Sequence, residues 1–455
     1  MSQSARDRIW VARPWPTHDP CLPGPAAYLP KSEAFGADAP VVTSGGNTDF
    51  AARFSHAMSG RLAEETYASA DARLSEVDAR VAARYPGEPA GRQPVHTVYV
   101  PAHRFSADLV TRWGEQAGRV FADHGERLGL PGEIAERVRR KLGVEPIEDL
   151  RIDFEDGYGA PGDEAEDAAA LACAKALSGS SAPLPPFTGI RFKSFERLTR
   201  RRGIRTLDVF LDGLGGELPP GFVVTLPKVT AVEQVAVAAE VLARLEDAYA
   251  LPVGALRFEV QIETSQSIVG TDGALAAARI IRAAGGRCAG LHFGTYDYTA
   301  GLGIAAAYQS MEHPAADFAK AVMQVAAAGT GVRLSDGSTN RLPVGDDLQA
   351  AWREHLRLVR RSLERGFYQG WDLHPHQLPT RFAATYAFFR DGVDSAAKRI
   401  RDYAEQTESG VLDEPATAQA LAVFLLRGLD CGALDEDELP LDRPRLHAYA
   451  RRQTV

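Results

Sequence analysis

Between residues 96 and 374 the chain keeps a rhythm that few folds can accommodate. Eight short β-prone runs recur: 96–101 (HTVYVP), 149–155 (DLRIDFE), 189–195 (GIRFKSF), 222–228 (FVVTLPK), 257–263 (RFEVQIE), 289–294 (AGLHFG), 331–335 (GVRLS) and 370–374 (GWDLH). Helix-length segments rich in Ala, Leu, Arg and Glu separate most of them, at 163–178, 231–248, 267–284, 315–328 and 346–366. A strand–helix alternation repeated eight times predicts an α/β fold, the closed parallel (β/α)8 TIM barrel. An open doubly wound sheet is the alternative, but no GxGxxG follows the first strand.

Three regions are expected around this rhythm. Residues 1–94 read as an N-terminal extension. Its first fifty residues are a Pro- and Gly-rich irregular arm, 58–84 has a helical pattern, and 85–94 (YPGEPAGRQP) is a linker by composition. Residues 95–390 form the barrel domain. Helices are expected beyond the eighth strand at 376–390, 394–408 and 415–428, the last stopped by Gly428, and residues 391–455 form a C-terminal helical segment.

Composition narrows the partners. A net charge of -9 argues against nucleic acid, whose binders present a basic footprint. The Arg200, Arg201, Arg202, Arg205 cluster is short and suits a solvated face. No run approaches the ~20 apolar residues of a membrane span. The N-terminus lacks a signal-peptide core. Four dispersed cysteines without a CxxC suit a reducing compartment, so a cytoplasmic protein is expected.

In a (β/α)8 barrel the active site lies at the C-terminal ends of the strands. Seven of the eight runs place ionisable residues there: His103 and Arg104, Glu155 and Asp156, Arg191 and Lys193, Lys228, Glu263, Asp297, and His374. Surface noise would scatter such groups at both ends. Glu263 and Asp297, on consecutive strands, are the metal candidates, and dispersed histidines favour Mg²⁺, with Mn²⁺ as the alternative. Each acid singly could instead cap the next helix. Arg191, Lys193 and Lys228 would make the mouth positive and suit an anionic substrate; alternatively they pair with Glu155 and Asp156 in a structural network. Gly294 would let backbone approach a ligand, and His374 closes the last strand.

These residues resemble the citrate lyase β-subunit and malyl-CoA lyase group of the HpcH/HpaI aldolase superfamily. The acidic motif is similar to Asp153-Phe154-Glu155-Asp156, and the R-x-N motif to Arg191-Phe192-Lys193, with Lys in the Asn place. The P-K, I-E-T, F-G-x-x-D and H-P-x-Q motifs resemble Pro227-Lys228, Ile262-Glu263-Thr264, the run Phe293 to Asp297, and His374-Pro375-His376-Gln377. GTYDY and GWDLHP also resemble malate synthases. A C-terminal motif is similar to Gly410-Val411-Leu412-Asp413-Glu414-Pro415, where Asp413 would otherwise read as a helix N-cap.

The resemblance implies a Mg²⁺-dependent carbon–carbon lyase or aldolase acting on a 2-oxo acid or a 3-hydroxyacyl-CoA type substrate. It implies a homo-oligomer in which Asp413 of one subunit serves as acid/base for another. Arg191 would stabilise an oxyanion, with Glu155, Asp156 and Lys228 beside it. Arg104, Lys193, Gly294 and His374 would contact substrate. Two alternatives stand beside this: a barrel handling phosphoryl or enolpyruvate groups, and a non-catalytic metabolite-binding homologue.

Overall fold

The structure, a computed structural model, describes residues 62–89, 91–180, 183–405 and 414–452. The irregular arm and Asp413 lie outside the described residues. The chain divides into Met1–Ala72 and Arg73–Val455. In the first unit the described residues begin a helix, α1 (Glu64–Arg84), none of whose residues is buried.

The second unit holds the barrel. Its strands are β1 (His96–Pro101), β2 (Asp149–Asp153), β3 (Phe187–Arg191), β4 (Val223–Leu226), β5 (Arg257–Ile262), β6 (Cys288–Phe293), β7 (Arg333–Ser335) and β8 (Gly370–Asp372). All pair in parallel in the order β7-β6-β5-β4-β3-β2-β1-β8. A parallel bridge from Ser335 to Gln369 joins the two edges. The eight runs are therefore eight strands of a TIM barrel.

Between β1 and β2 lie α2 (Leu109–His124) and α3 (Gly132–Val144). Then come α4 (Asp163–Ser178), α5 (Arg200–Leu214), α6 (Val232–Ala248), α7 (Ala277–Ala283), α8 (Thr295–Gly301), α9 (Pro314–Ala327) and α10 (Leu348–Glu364). After β8 follow α11 (Leu378–Ala404), α12 (Pro415–Asp430) and α13 (Arg443–Ala450). The pleat sorts the strand residues by parity. Ile152, Ile190, Val224, Leu226, Val260, Ile262, Leu291 and Phe293 are buried with helix residues such as Leu207, Phe210 and Leu242. Each such side chain contributes ~1.5–3 kcal/mol on burial. Many of the alternate positions are polar (Asp149, Arg151, Asp153, Arg191, Thr225, Glu259, Gln261, His292), which is unusual where bulky branched residues commonly fill the interior.

Two expectations change. The 267–284 segment is helical only over α7. Its first half turns at Gly270–Gly273, where Gly273 has φ +75° and Asp272 accepts from the Ala274 N–H. Residues 376–390 and 394–408 are one helix, α11, because Gly392 does not break it. A Cβ there would lie 2.7 Å from the Phe424 ring, so the glycine serves close packing of α12. The arginine cluster opens α5 on a solvated face as expected, with Arg200, Arg201 and Arg205 exposed, and it pairs with α4: Arg202 meets Asp167 and Glu166, and Arg205 meets Asp167 at 3.1 Å. Cys173, Cys288 and Cys431 are free, and burial pushes each thiol up to about 12. Among the described residues no helix is long and apolar enough to cross a membrane.

Candidate active site

The mouth is assembled from β2, β3, β4, β5 and the β6–α8 turn. Asp153, the last residue of β2, pairs in register with Arg191, the last of β3. Its carboxylate takes Arg191 Nε at 2.6 Å and Nη2 at 2.7 Å. It also accepts from the Glu155 and Gly157 N–H groups, so one side chain fixes both the arginine and the loop behind it. The guanidinium lies 4.9 Å over the Tyr99 ring. Burial opposes its charge, but Asp153 and Glu155 outweigh that and hold Arg191 well above its usual range.

Glu155 stands between the two cations, 3.5 Å from Arg191 Nη1 and 2.7 Å from Lys228 Nζ. Burial raises its proton affinity. Lys228 Nζ also donates to both oxygens of Asp156, at 2.9 and 2.7 Å, and lies 3.8 Å from Asp297 Oδ2. Burial disfavours the Asp156 charge, but the Lys228 hydrogen bond prevails and Asp156 sits below its usual range. Burial likewise disfavours the Lys228 charge, and Glu263 and Glu155 more than offset it, raising Lys228. Lys228 adopts a left-handed backbone (φ 49°), and its N–H donates to Glu263 Oε1 at 2.7 Å. A non-glycine residue held so is the kind of strain that collects at functional sites.

Glu263, just past β5, is 2% exposed. Burial pushes its carboxyl up to about 8; Lys228 opposes the shift and Asp297 adds to it. The Gln261 amide bridges the site. With its oxygen accepting from Arg191 Nη1 at 3.3 Å, its nitrogen donates to Glu263 Oε1 at 3.2 Å.

Five carboxylates (Asp153, Glu155, Asp156, Glu263, Asp297) thus meet two cations (Arg191, Lys228). Five less two leaves a surplus of three negative charges if all ionise. The mouth is acidic, against the positive mouth expected from the sequence. Part of the reason is Lys193. Its ammonium is turned onto the Phe154 and Gly159 carbonyls and Glu166, at 2.7, 2.9 and 2.7 Å, which ties β3 to the loop before α4. Its three donors are spent there.

The remaining residues divide. Glu263 is not a helix cap: the turn after it is capped by Thr264. Asp297 lies in the first turn of α8, half-exposed, with Gly294 at the cap position. A Cβ on Gly294 would sit 2.4 Å from Glu263 Cβ, so this glycine makes room for the acid. Arg104 is exposed beyond β1. His374 is half-buried and caps the Pro375–Gln377 turn by accepting from the His376 N–H; burial, then His376, lowers it to about 4. The cap position of α12 falls on Glu414.

Asp153, Gln261 and Tyr99 were not singled out as site residues in the sequence. Parity was the available signal. Gln261 lies two residues before Glu263 and Asp153 two before Glu155, so each pair shares a face of its strand.

A divalent cation fits the pair Glu263 and Asp297. Among the described residues no group of three or more His, Cys, Asp or Glu side chains is disposed to hold a metal alone. Mg²⁺, however, commonly takes one or two carboxylates and fills its octahedron with water and substrate. The unneutralised surplus beside them is the chemistry such an ion requires.

A family model described as a domain of unknown function (DUF6986) matches residues 74–454. No curated protein matches the sequence. Among solved structures, a citrate lyase from Burkholderia xenovorans LB400 aligns with a TM-score of 0.53 at 18% identity, covering 79% of this chain and 98% of that one. The protein CitE from Mycobacterium tuberculosis, in complex with magnesium, acetoacetate and coenzyme A, aligns at 0.45 and 18% identity, over 75% and 99% of the two chains. A malate synthase from Haloferax volcanii aligns at 0.45 and 17% identity, over 81% and 99%. The first of these likenesses carries the barrel fold, in agreement with the motif resemblance.

Proposed function

The chain belongs to the DUF6986 family, and we propose that it is a Mg²⁺-dependent carbon–carbon lyase or condensing enzyme acting on a 2-oxo acid, with an acyl-CoA as a second substrate. The observation that carries the cation is the surplus of carboxylates around a buried Glu263 whose proton is held up to about 8. The motif resemblance supplies the reaction class.

In this reading Glu263 and Asp297 hold Mg²⁺, which when bound supplies a Lewis acid for the substrate carbonyl. Mn²⁺ would serve the same ligands. Lys228 keeps Glu155 and Asp156 from repelling the two metal ligands, and its strained backbone aims an N–H at Glu263. Arg191, locked by Asp153 and Tyr99, presents Nη1 toward Glu155 and Gln261. A guanidinium fixed before the reaction stabilises a developing oxyanion without reorganising. Arg104, exposed beyond β1, would take a substrate carboxylate. Asp413, which a neighbouring subunit would supply, moves the proton at the reacting carbon. The backbone at Gly294 and the capped turn at His374 shape the wall.

Two measurements test the reading. Calorimetry with Mg²⁺ should show binding that Glu263→Ala and Asp297→Ala each abolish. Unchanged binding in both variants would refute the site. A screen of glyoxylate and pyruvate, each with and without acetyl-CoA, should give Mg²⁺-dependent bond formation or cleavage. Arg191→Lys should lower that turnover by ~10²–10³.

A further inference from the structure

The opposite end of the barrel holds a second polar cavity, of about 460 Å³. It is lined by Arg92, Arg151, Arg257, Arg333, Asp149, Glu259 and His292, with glycines among the lining residues. Glu259, Gly290 and Arg333 share one row of the sheet. A Cβ on Gly290 would lie 3.2 Å from His292 Nε2, so the glycine makes room for the imidazole.

The charges of this cavity do not all cancel. Arg151 is spent on Asp149 and Glu259, and Arg92 on Glu145 and Glu148. Arg257 and Arg333 have no carboxylate partner among the described residues. Arg257 donates to the Cys288 carbonyl at 3.4 Å. Arg333 donates to the Gly91 carbonyl at 3.0 Å and lies over the Phe187 ring. Burial, then the charges of Arg257 and Arg427, bring Arg333 down to about 10. Two guanidiniums are held close enough to repel in a chain of net charge -9. His292, 2% exposed, gives its Nε2 to Glu259 at 3.1 Å and leaves Nδ1 without a partner. Two guanidiniums without carboxylate partners and a buried imidazole nitrogen make a cradle of charge about +2, which complements a tetrahedral dianion.

We infer that the N-terminal end of the barrel is a binding site for a phosphate group, free or carried on a small metabolite, gripped by Arg257 and Arg333 with His292 behind them. The site is separate from the mouth and shares no residue with it. A groove of about 960 Å³ adjoins the cavity through Arg257 and Gly331 and adds Arg84 and Arg282, which leaves room for the remainder of a phosphorylated metabolite.

The test is calorimetry with inorganic phosphate and, separately, adenosine 5′-monophosphate, at constant ionic strength and without divalent cations. Saturable binding of ~1 mM or tighter is expected. Arg257→Ala and Arg333→Ala should each weaken it by about tenfold or more, and the double variant should abolish it. Glu263→Gln at the mouth should leave it unchanged. Binding of both ligands identifies the phosphate group itself as the determinant. Binding of the monophosphate alone identifies a carried phosphate. Arg257 is exposed and makes one long hydrogen bond, so its variant should retain the melting temperature and keep the test open if Arg333→Ala does not fold. No saturable binding of either ligand, or binding that survives the double substitution, would overturn the inference. So would loss of binding in Glu263→Gln.

Discussion

Two charged clusters share the barrel interior and are built on opposite terms. Around Arg151 the charges are matched. Its guanidinium takes Asp149 and both oxygens of Glu259, at 3.0 and 2.9 Å for the latter. Thr225, His292 and Thr97 occupy remaining lone pairs on the two acids. Burial disfavours the Glu259 charge, yet Arg151 and His292 hold that carboxyl below its usual range. Around Lys228 the charges are unmatched, and Glu263, equally buried, rises to about 8. The same residue type on the same strand, four positions apart, is thus pushed in opposite directions by the company it keeps. A matched cluster is an interior solution. An unmatched one costs stability and persists where a ligand completes it.

The largest expected effect comes from breaking the matched cluster. Glu259→Gln leaves Arg151 buried against Asp149 alone and should cost ~3–5 kcal/mol of unfolding free energy in urea, with Mg²⁺ binding at the mouth retained. If stability changed by less than ~1 kcal/mol, the two ends would not differ as described. The pH dependence follows from the lowered carboxyl. Glu259 contributes above its ordinary value of 4.5, and that contribution is lost as pH falls through its lower folded value.

The same substitution at the mouth should have the opposite sign. Folded, Glu263 keeps its proton to about pH 8; unfolded, it releases it near 4.5. The folded state binds more protons between these values, so stability falls as pH rises across that window. Glu263→Gln removes this loss. It should stabilise the metal-free protein by ~3 kcal/mol at pH 7 while abolishing Mg²⁺ binding. A variant no more stable than the parent at pH 9 would show that the charge surplus is illusory. Added Mg²⁺ must displace the proton, so its affinity for the parent should climb with pH up to about 8.

A steric route reaches the same acid. Gly294→Ala drives a Cβ to 2.4 Å from Glu263 Cβ and should cost ~1–3 kcal/mol. Because the methyl displaces Glu263, Mg²⁺ affinity should fall with it; intact affinity would mean that Glu263 is not a ligand.

The glycine also illustrates what the sequence made legible. The strand rhythm was readable because Val, Ile, Leu and Phe recur every second residue on β1, β2, β4, β5 and β6, and a parallel strand needs that outward face. The rim acids were readable because strand ends in a closed barrel point one way. Reach and partner were not. Lys193 has the parity of Arg191, but its four-carbon stem carries the charge back to Glu166. The sequence pattern divides 376–408 into two helices, and only the Phe424 ring packed against Gly392 shows why one helix runs through. Gly294 resembles a ligand-approach glycine until Glu263 is built beside it. Each case turns on a residue distant in sequence, and the charge balance at the mouth does so most of all.

The smallest effect is the sharpest discriminator. Asp156 is half-exposed, and its bond to Lys228 is screened by solvent, so Asp156→Asn should cost only ~0.2–1 kcal/mol of stability. If the cluster around Lys228 were structural, nothing further would follow. As a cation site it should respond more. The substitution lowers the surplus from three charges to two and frees Lys228 Nζ, which already stands 3.8 Å from Asp297. The ammonium can then compete for a metal ligand. Mg²⁺ affinity should therefore drop by about fivefold or more, out of proportion to the stability change, and the drop should shrink at high ionic strength. Titrating Mg²⁺ into Asp156→Asn at low and high salt measures both quantities. Equal affinities for parent and variant at low salt would break the link between the surplus and the ion.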